Sequence, residues 1–148
     1  MSGLHLFLDS SALFAGVVSA DGASRALLLL AEGGLMTVSV SKQVLVETER
    51  AVARKLPRSL PTFREALRST GLRILPDPTP EQVMAHQNLI SHQADAPIVL
   101  AAMQARVDYL VTLNRRHFID DPGMAIRSEL RIDTPGAALT WVRERLTR

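Results

Sequence analysis

The stretch "LHLFLDSSALFAG" (residues 4–16) decides how this chain is read. Leu4, Leu6, Phe7 and Leu8 predict a buried strand over residues 4–9, and that strand runs straight into Asp9. Burying a carboxylate is costly unless it is paired, hydrogen-bonded or bound to a cation. Ser10 and Ser11 follow, and then the apolar pattern resumes. Two roles are open for Asp9: a cap on the turn after the strand, or membership of a site completed elsewhere in the chain.

Outward from this stretch, strands and helices alternate. Residues 21–34 read as a helix, with Asp21 or Ser24 near its cap and Gly33-Gly34 as its stop. The β-branched run 35–41 reads as a second strand. A helix over 42–56 ends at Pro57, and another over 61–71 opens on Pro61 and closes at Gly71. A third strand is predicted at 72–75. The connector "PDPTP" (76–80) leads into a helix at about 80–91 and a further one at about 96–106. Strands follow at 108–113 and 131–133, and the chain closes as a helix over 134–146 with Thr134 as cap. Such alternation predicts an α/β fold, one domain over residues 1–148, with a parallel sheet of about five strands covered by helices on both faces. Ligands bind such sheets at the carboxyl ends of the strands. Asp9 and Asn114 stand at two of those ends.

Bulk properties narrow the classes. Of 148 residues, 47% are apolar and 22% charged, enough for a core and too ordered a composition for wholesale disorder. With no cysteine, disulfides and thiolate metal sites are excluded. No apolar run approaches the ~20 residues that span a bilayer, and the start lacks a signal-peptide pattern, so a soluble cytoplasmic protein without membrane contact is expected. The pI is near 9.7. All but Lys42 and Lys55 of the 17 basic residues are Arg, the side chain whose planar fork grips phosphates.

Motifs exclude several chemistries. Neither GxxxxGK[ST] nor GxGxxG occurs, and no G-x-S-x-G elbow supports Ser10 or Ser11 as a nucleophile. Haloacid-dehalogenase-type phosphatases need a second Asp where Ser11 stands, and receiver domains need acidic residues that are missing here. His5, His86, His92 and His117 lack zinc spacing. What remains is a set of oxygen donors at element ends or on an inward-leaning face: Asp9, Glu47, Asp95 and Asn114. Hard oxygen donors without Cys or grouped His suit Mg²⁺ or Mn²⁺. Plainer roles are open for each acid: Asp95 as a helix cap, Glu47 paired with Arg50 or Arg54 on a solvent face, and Asp108 as a structural residue. Glu49 lies ~200° around the helix from Glu47 and is expected to be exposed. Asp120 and Asp121 read as a solvated turn before Pro122-Gly123.

Three segments together resemble the PIN domain, the fold of many VapC-type toxin ribonucleases: "FLDSSAL", "VSVSKQVLVETE" and "ADAPIVLAAMQARVDYLVTLNRRHF". The resemblance spans nearly the whole chain and rests on order and spacing rather than on one motif. It implies a three-layer fold and a metal-dependent endoribonuclease. Asp9, Glu47, Asp95 and Asn114 would be the catalytic, metal-holding residues for Mg²⁺ or Mn²⁺, and Ser10 and Thr112 the supporting hydroxyls. The family commonly has Asp where this chain has Asn114, which lowers the charge of the site by one. Arg50 and Arg54 share Glu47's side of their helix, and Arg115, Arg116 and His117 follow Asn114, so these residues are candidate RNA-phosphate contacts. For the stripe carrying Arg50 and Arg54, an ordinary solvated face is the alternative. The resemblance further implies the toxin of a type II toxin–antitoxin pair, a homodimer inhibited by a small antitoxin protein. The competing readings are a weakened PIN-like domain that binds RNA or a partner without cutting, and a metal-dependent DNA nuclease.

Overall fold

The computed structural model describes residues 3–19 and 21–148. The first strand, β1 (His5–Leu8), carries Leu6, Phe7 and Leu8, all fully buried, as a strand covered on both faces requires. No loop follows it. Helix α1 (Ser10–Val18) begins at once, with Asp9 in extended conformation as its cap. This helix was not anticipated, because its apolar residues run on from the strand without punctuation. α2 (Ala23–Glu32) is shorter than the expected 21–34, and its cap is Gly22 rather than Asp21 or Ser24. α1 and α2 pack closely: a Cβ on Gly16 would lie 2.8 Å from Leu28 Cδ1 and 3.2 Å from the Ser24 carbonyl oxygen.

β2 (Thr37–Ser41) leads directly into α3 (Lys42–Lys55), capped by Ser41, whose hydroxyl accepts from Val44 N at 3.2 Å. α4 (Leu60–Thr70) ends at Gly71, whose φ of +66° is the left-handed stop that glycine supplies most readily. β3 (Arg73–Leu75) follows. The helix expected over 80–91 is cut to α5 (Pro80–Met84), opened by a reciprocal cap between Thr79 and Gln82. Beyond it the backbone tightens to three-residue bonds, His86 N to Val83 O and Leu89 N to His86 O. Residues 84–88 are all exposed, so no apolar face holds a regular helix there.

α6 (Ala96–Gln104) and β4 (Tyr109–Val111) form nearly as expected. A single wide turn, Arg115–Ile119, comes next, with Asp120 N bonded five residues back to Arg115 O at 2.7 Å. Instead of a solvated Asp120–Asp121 turn, Asp121 caps α7 (Pro122–Ser128) through Gly123 N at 3.1 Å and pairs with Arg127. β5 (Arg131–Asp133) and α8 (Pro135–Leu146), capped by Thr134, close the chain. Asp108 is structural: its carboxylate accepts from His5 N at 2.8 Å, tying β4 to β1.

The five strands pair in the order β3–β2–β1–β4–β5, all parallel. From β1 the chain steps one way to β2 and β3, then crosses back to β4 on the other side of β1. Right-handed crossovers then put α1–α4 on one face of the sheet and α5–α7 on the other, which is the expected three-layer arrangement. The order reverses between β1 and β4, and that is where an open parallel sheet forms a crevice at its carboxyl edge.

Candidate active site

Asp9 leaves β1 at that crevice and is only 3% exposed. One carboxylate oxygen accepts from Ala12 N at 2.9 Å and from Ser11 Oγ at 2.7 Å, and the other accepts a short bond from Thr112 Oγ1. Thr112 stands just past β4, fully buried, and its hydroxyl also accepts from Asn114 N at 2.9 Å. Asp9 is therefore both a helix cap and a site residue; one carboxylate serves the two roles. Burial pushes its pKa up. The three hydrogen bonds pull it back, and the negative charge of Asp95 pushes the same way as burial.

Glu47 reaches the same edge from α3. It accepts from Ser10 Oγ at 3.0 Å and from Gln43 Nε2, one turn earlier, also at 3.0 Å. Ser10 thus supports Glu47, whereas its neighbour Ser11 joins Thr112 on Asp9. The Gln43 side chain also donates to Ala94 O at 3.3 Å, linking α3 to the segment before α6. Asp95, at the start of α6, is a half-buried acceptor for His117 Nδ1 at 2.9 Å and makes no capping bond. Asn114 turns its carbonyl oxygen onto His117 N (3.2 Å), which caps the wide turn after β4.

Among the described residues, no Arg or Lys pairs with Asp9, Glu47 or Asp95; the ion pairs of the chain lie elsewhere or use histidine. Three carboxylates held by hydroxyls, amides and one imidazole form an oxygen-rich set with uncompensated charge, and this donor chemistry fits Mg²⁺ or Mn²⁺. Arg50 and Arg54 are exposed on α3, and Arg115 and Arg116 are exposed on the wide turn, all without a carboxylate partner among the described residues. Glu49 is exposed as expected and pairs with Arg64 at 3.1 Å. Sequence spacing missed that two of the four histidines meet at the site. His92 stacks on His117, ring centroids 3.9 Å apart, beside Asp95. His92 and His117 lie far apart in sequence, so no local spacing could have paired them. A groove of about 650 Å³ between α1, α2 and α4, lined by Val17, Arg25, Pro61 and Ala66 among others, shares no residue with this cluster.

No helix among the described residues is by itself long and apolar enough to cross a membrane. The chain is similar in fold to PAE2754 from Pyrobaculum aerophilum, at 16% identity, with 97% of this chain and 92% of that one covered and a TM-score of 0.66. It is likewise similar to VapBC2 from Rickettsia felis bound to a promoter DNA fragment (18% identity, 88% and 98% covered, TM-score 0.62). FitAcB from Neisseria gonorrhoeae aligns at 20% identity, 88% and 98% covered, with a TM-score of 0.56. No curated protein sequence matches the chain. Residues 5–116 match the family model described as PIN domain, which takes in the sheet from β1 to β4 together with Asp9, Glu47 and Asp95, and the chain belongs to the PIN domain family.

Proposed function

We propose that this PIN protein is a divalent-metal-dependent endoribonuclease in which Asp9, Glu47 and Asp95 hold Mg²⁺ or Mn²⁺. The observation that supports the reading is that these carboxylates stand at the sheet's carboxyl edge with no Arg or Lys paired to them among the described residues. A bound divalent cation supplies a water of lowered pKa and neutralises charge on a scissile phosphate. The chain's own residues fix the geometry. Thr112 and Ser11 hold Asp9, Ser10 and Gln43 hold Glu47, and His117 holds Asp95. With its carbonyl oxygen on His117 N, Asn114 contributes less to a cation than a carboxylate would. Arg50, Arg54, Arg115 and Arg116, all exposed, would contact phosphates of the bound RNA.

In the cell, the reading extends to a cytoplasmic toxin that dimerises and is silenced by a small antitoxin protein. The likeness to VapBC2 supports that extension. Labelled RNA and DNA oligonucleotides incubated with Mn²⁺ or Mg²⁺ test the activity, with Asp9→Asn as control. RNA cut by the wild type, DNA left whole and no cleavage by Asp9→Asn are the expected results. DNA cleavage would move the activity to a DNA nuclease. RNA binding without cleavage would leave a domain that grips RNA but does not cut it.

A further inference from the structure

The crevice carries nitrogen donors as well as oxygen donors. His117 sits on the wide turn after β4, its backbone N–H bonded to Asn114 Oδ1. His92 sits on the turn before α6, its carbonyl oxygen accepting from Asp95 N at 3.0 Å. Their rings stack at 3.9 Å and 21°. His117 Nδ1 lies 2.9 Å from Asp95 Oδ2, and His92 Nε2 lies 3.9 Å from the same oxygen. One ligand atom from each of the three residues falls within 4.8 Å of the others.

From this geometry we infer that His92, Asp95 and His117 form a binding site for a first-row transition-metal dication of the zinc type. Ligand atoms at ~2.0–2.2 Å from a common Zn²⁺ stand roughly 3.0–3.5 Å apart. The observed 2.9 and 3.9 Å bracket that span, and since an imidazole binds a metal in its ring plane, the exposed His92 ring must turn out of its stack on His117 to complete the set. Two imidazoles and one carboxylate select such ions over Mg²⁺, which prefers oxygen and octahedral geometry. The side chains are 49%, 18% and 30% exposed, which gives an ion an entry path and leaves water in its remaining positions.

His117 Nδ1 also lies 3.0 Å from Asn114 Nδ2, an amino group that has to turn away when an ion takes the lone pair of that nitrogen. The site shares Asp95 with the proposed nuclease centre, but it would stand in a protein that cuts nothing.

Calorimetric titration of Zn²⁺ into the chelator-treated chain tests this, with Co²⁺ absorption as a second readout of nitrogen ligation. His92→Gln, His117→Gln and Asp9→Asn are compared, each checked for folding by circular dichroism. Loss of a ligand is expected to weaken Zn²⁺ binding by at least about tenfold in each histidine variant, with a smaller change in Asp9→Asn. Unchanged Zn²⁺ affinity in His92→Gln, an exposed position that the fold does not need, would overturn the proposal. So would a larger loss in Asp9→Asn than in the histidine variants, which would put the ion on the carboxylates.

Discussion

Asn114 carries an amide where the family resemblance leads to the expectation of a carboxylate, and the structure gives that amide other work. Its carbonyl oxygen caps the turn holding His117, and its amino group faces the His117 ring. A unit charge added ~5 Å from a divalent cation is worth several kcal/mol at an effective dielectric of ~20, much of it offset by repulsion from Asp9 and Asp95 in the metal-free protein. We expect Asn114→Asp to tighten Mn²⁺ binding on the order of tenfold and to lower the melting temperature without metal. Paired calorimetric and thermal titrations check this. Equal Mn²⁺ affinities would mean that position 114 lies outside the metal's reach. At this scale the sequence was informative. Asp9, Asp95 and Asn114 were singled out from their positions at element ends, Glu47 from an inward-leaning helix face and Thr112 from the family resemblance, and Thr112 bonds Asp9 while Ser10 bonds Glu47 at the carboxyl edge of the sheet. Of the two adjacent serines, Ser11 donates to Asp9 alongside Thr112 while Ser10 turns to Glu47; one-residue choices of this kind depend on where the helix starts.

Helix α3 links the acids to the basic surface. On a 3.6-residue turn, Arg54 falls almost in line with Glu47 two turns on, and Arg50 lies about 60° to one side. Both are exposed, so under the proposed function they would be the first cations that a phosphate backbone meets on its way to Glu47. Replacing either with Ala is expected to weaken RNA binding across sequences and to flatten the salt dependence by about one unit per lost phosphate contact. Filter binding over a salt series measures both quantities, and unchanged slopes would reduce the stripe to a solvated face. The elements best read from sequence are those with punctuation, such as α4 between its prolines and Gly71, and α8 behind Thr134-Pro135. α1 escaped because it joins β1 without a loop, and its buried Ala12, Leu13, Gly16 and Val17 merge with the apolar strand. α5 was overextended because Leu89 and Ile90 supply buried residues without continuing a helical face.

Across the molecule, His5 reports on the assembled sheet. Its ring contacts Ser39 on β2, its backbone N–H bonds Asp108 before β4, and it feels the charge of Arg73 on β3. Burial, followed by Arg73, lowers its pKa below the ordinary 6.5, and Asp108 only partly opposes this. The folded state therefore favours the neutral ring. The unfolded chain takes up a proton as pH drops below about 6.5, and the fold resists it until lower pH. His5's contribution to stability is thus complete above about 6.5 and is lost as pH falls through the folded-state value. Urea unfolding midpoints are expected to drop between pH 7.5 and 5.5, and to drop less in His5→Gln; parallel profiles would show that the ring titrates alike in both states. The sequence alone determined the alternation of strands and helices, the acids at strand and helix ends, and the family resemblance, because these follow from hydrophobic period, turn residues and local spacing. Only the tertiary structure decided the strand order that opens the crevice between β1 and β4, and the meeting of His92 with His117 beside Asp95. Those depend on which strands pair across long separations, which is set by how the whole core packs rather than by any short segment.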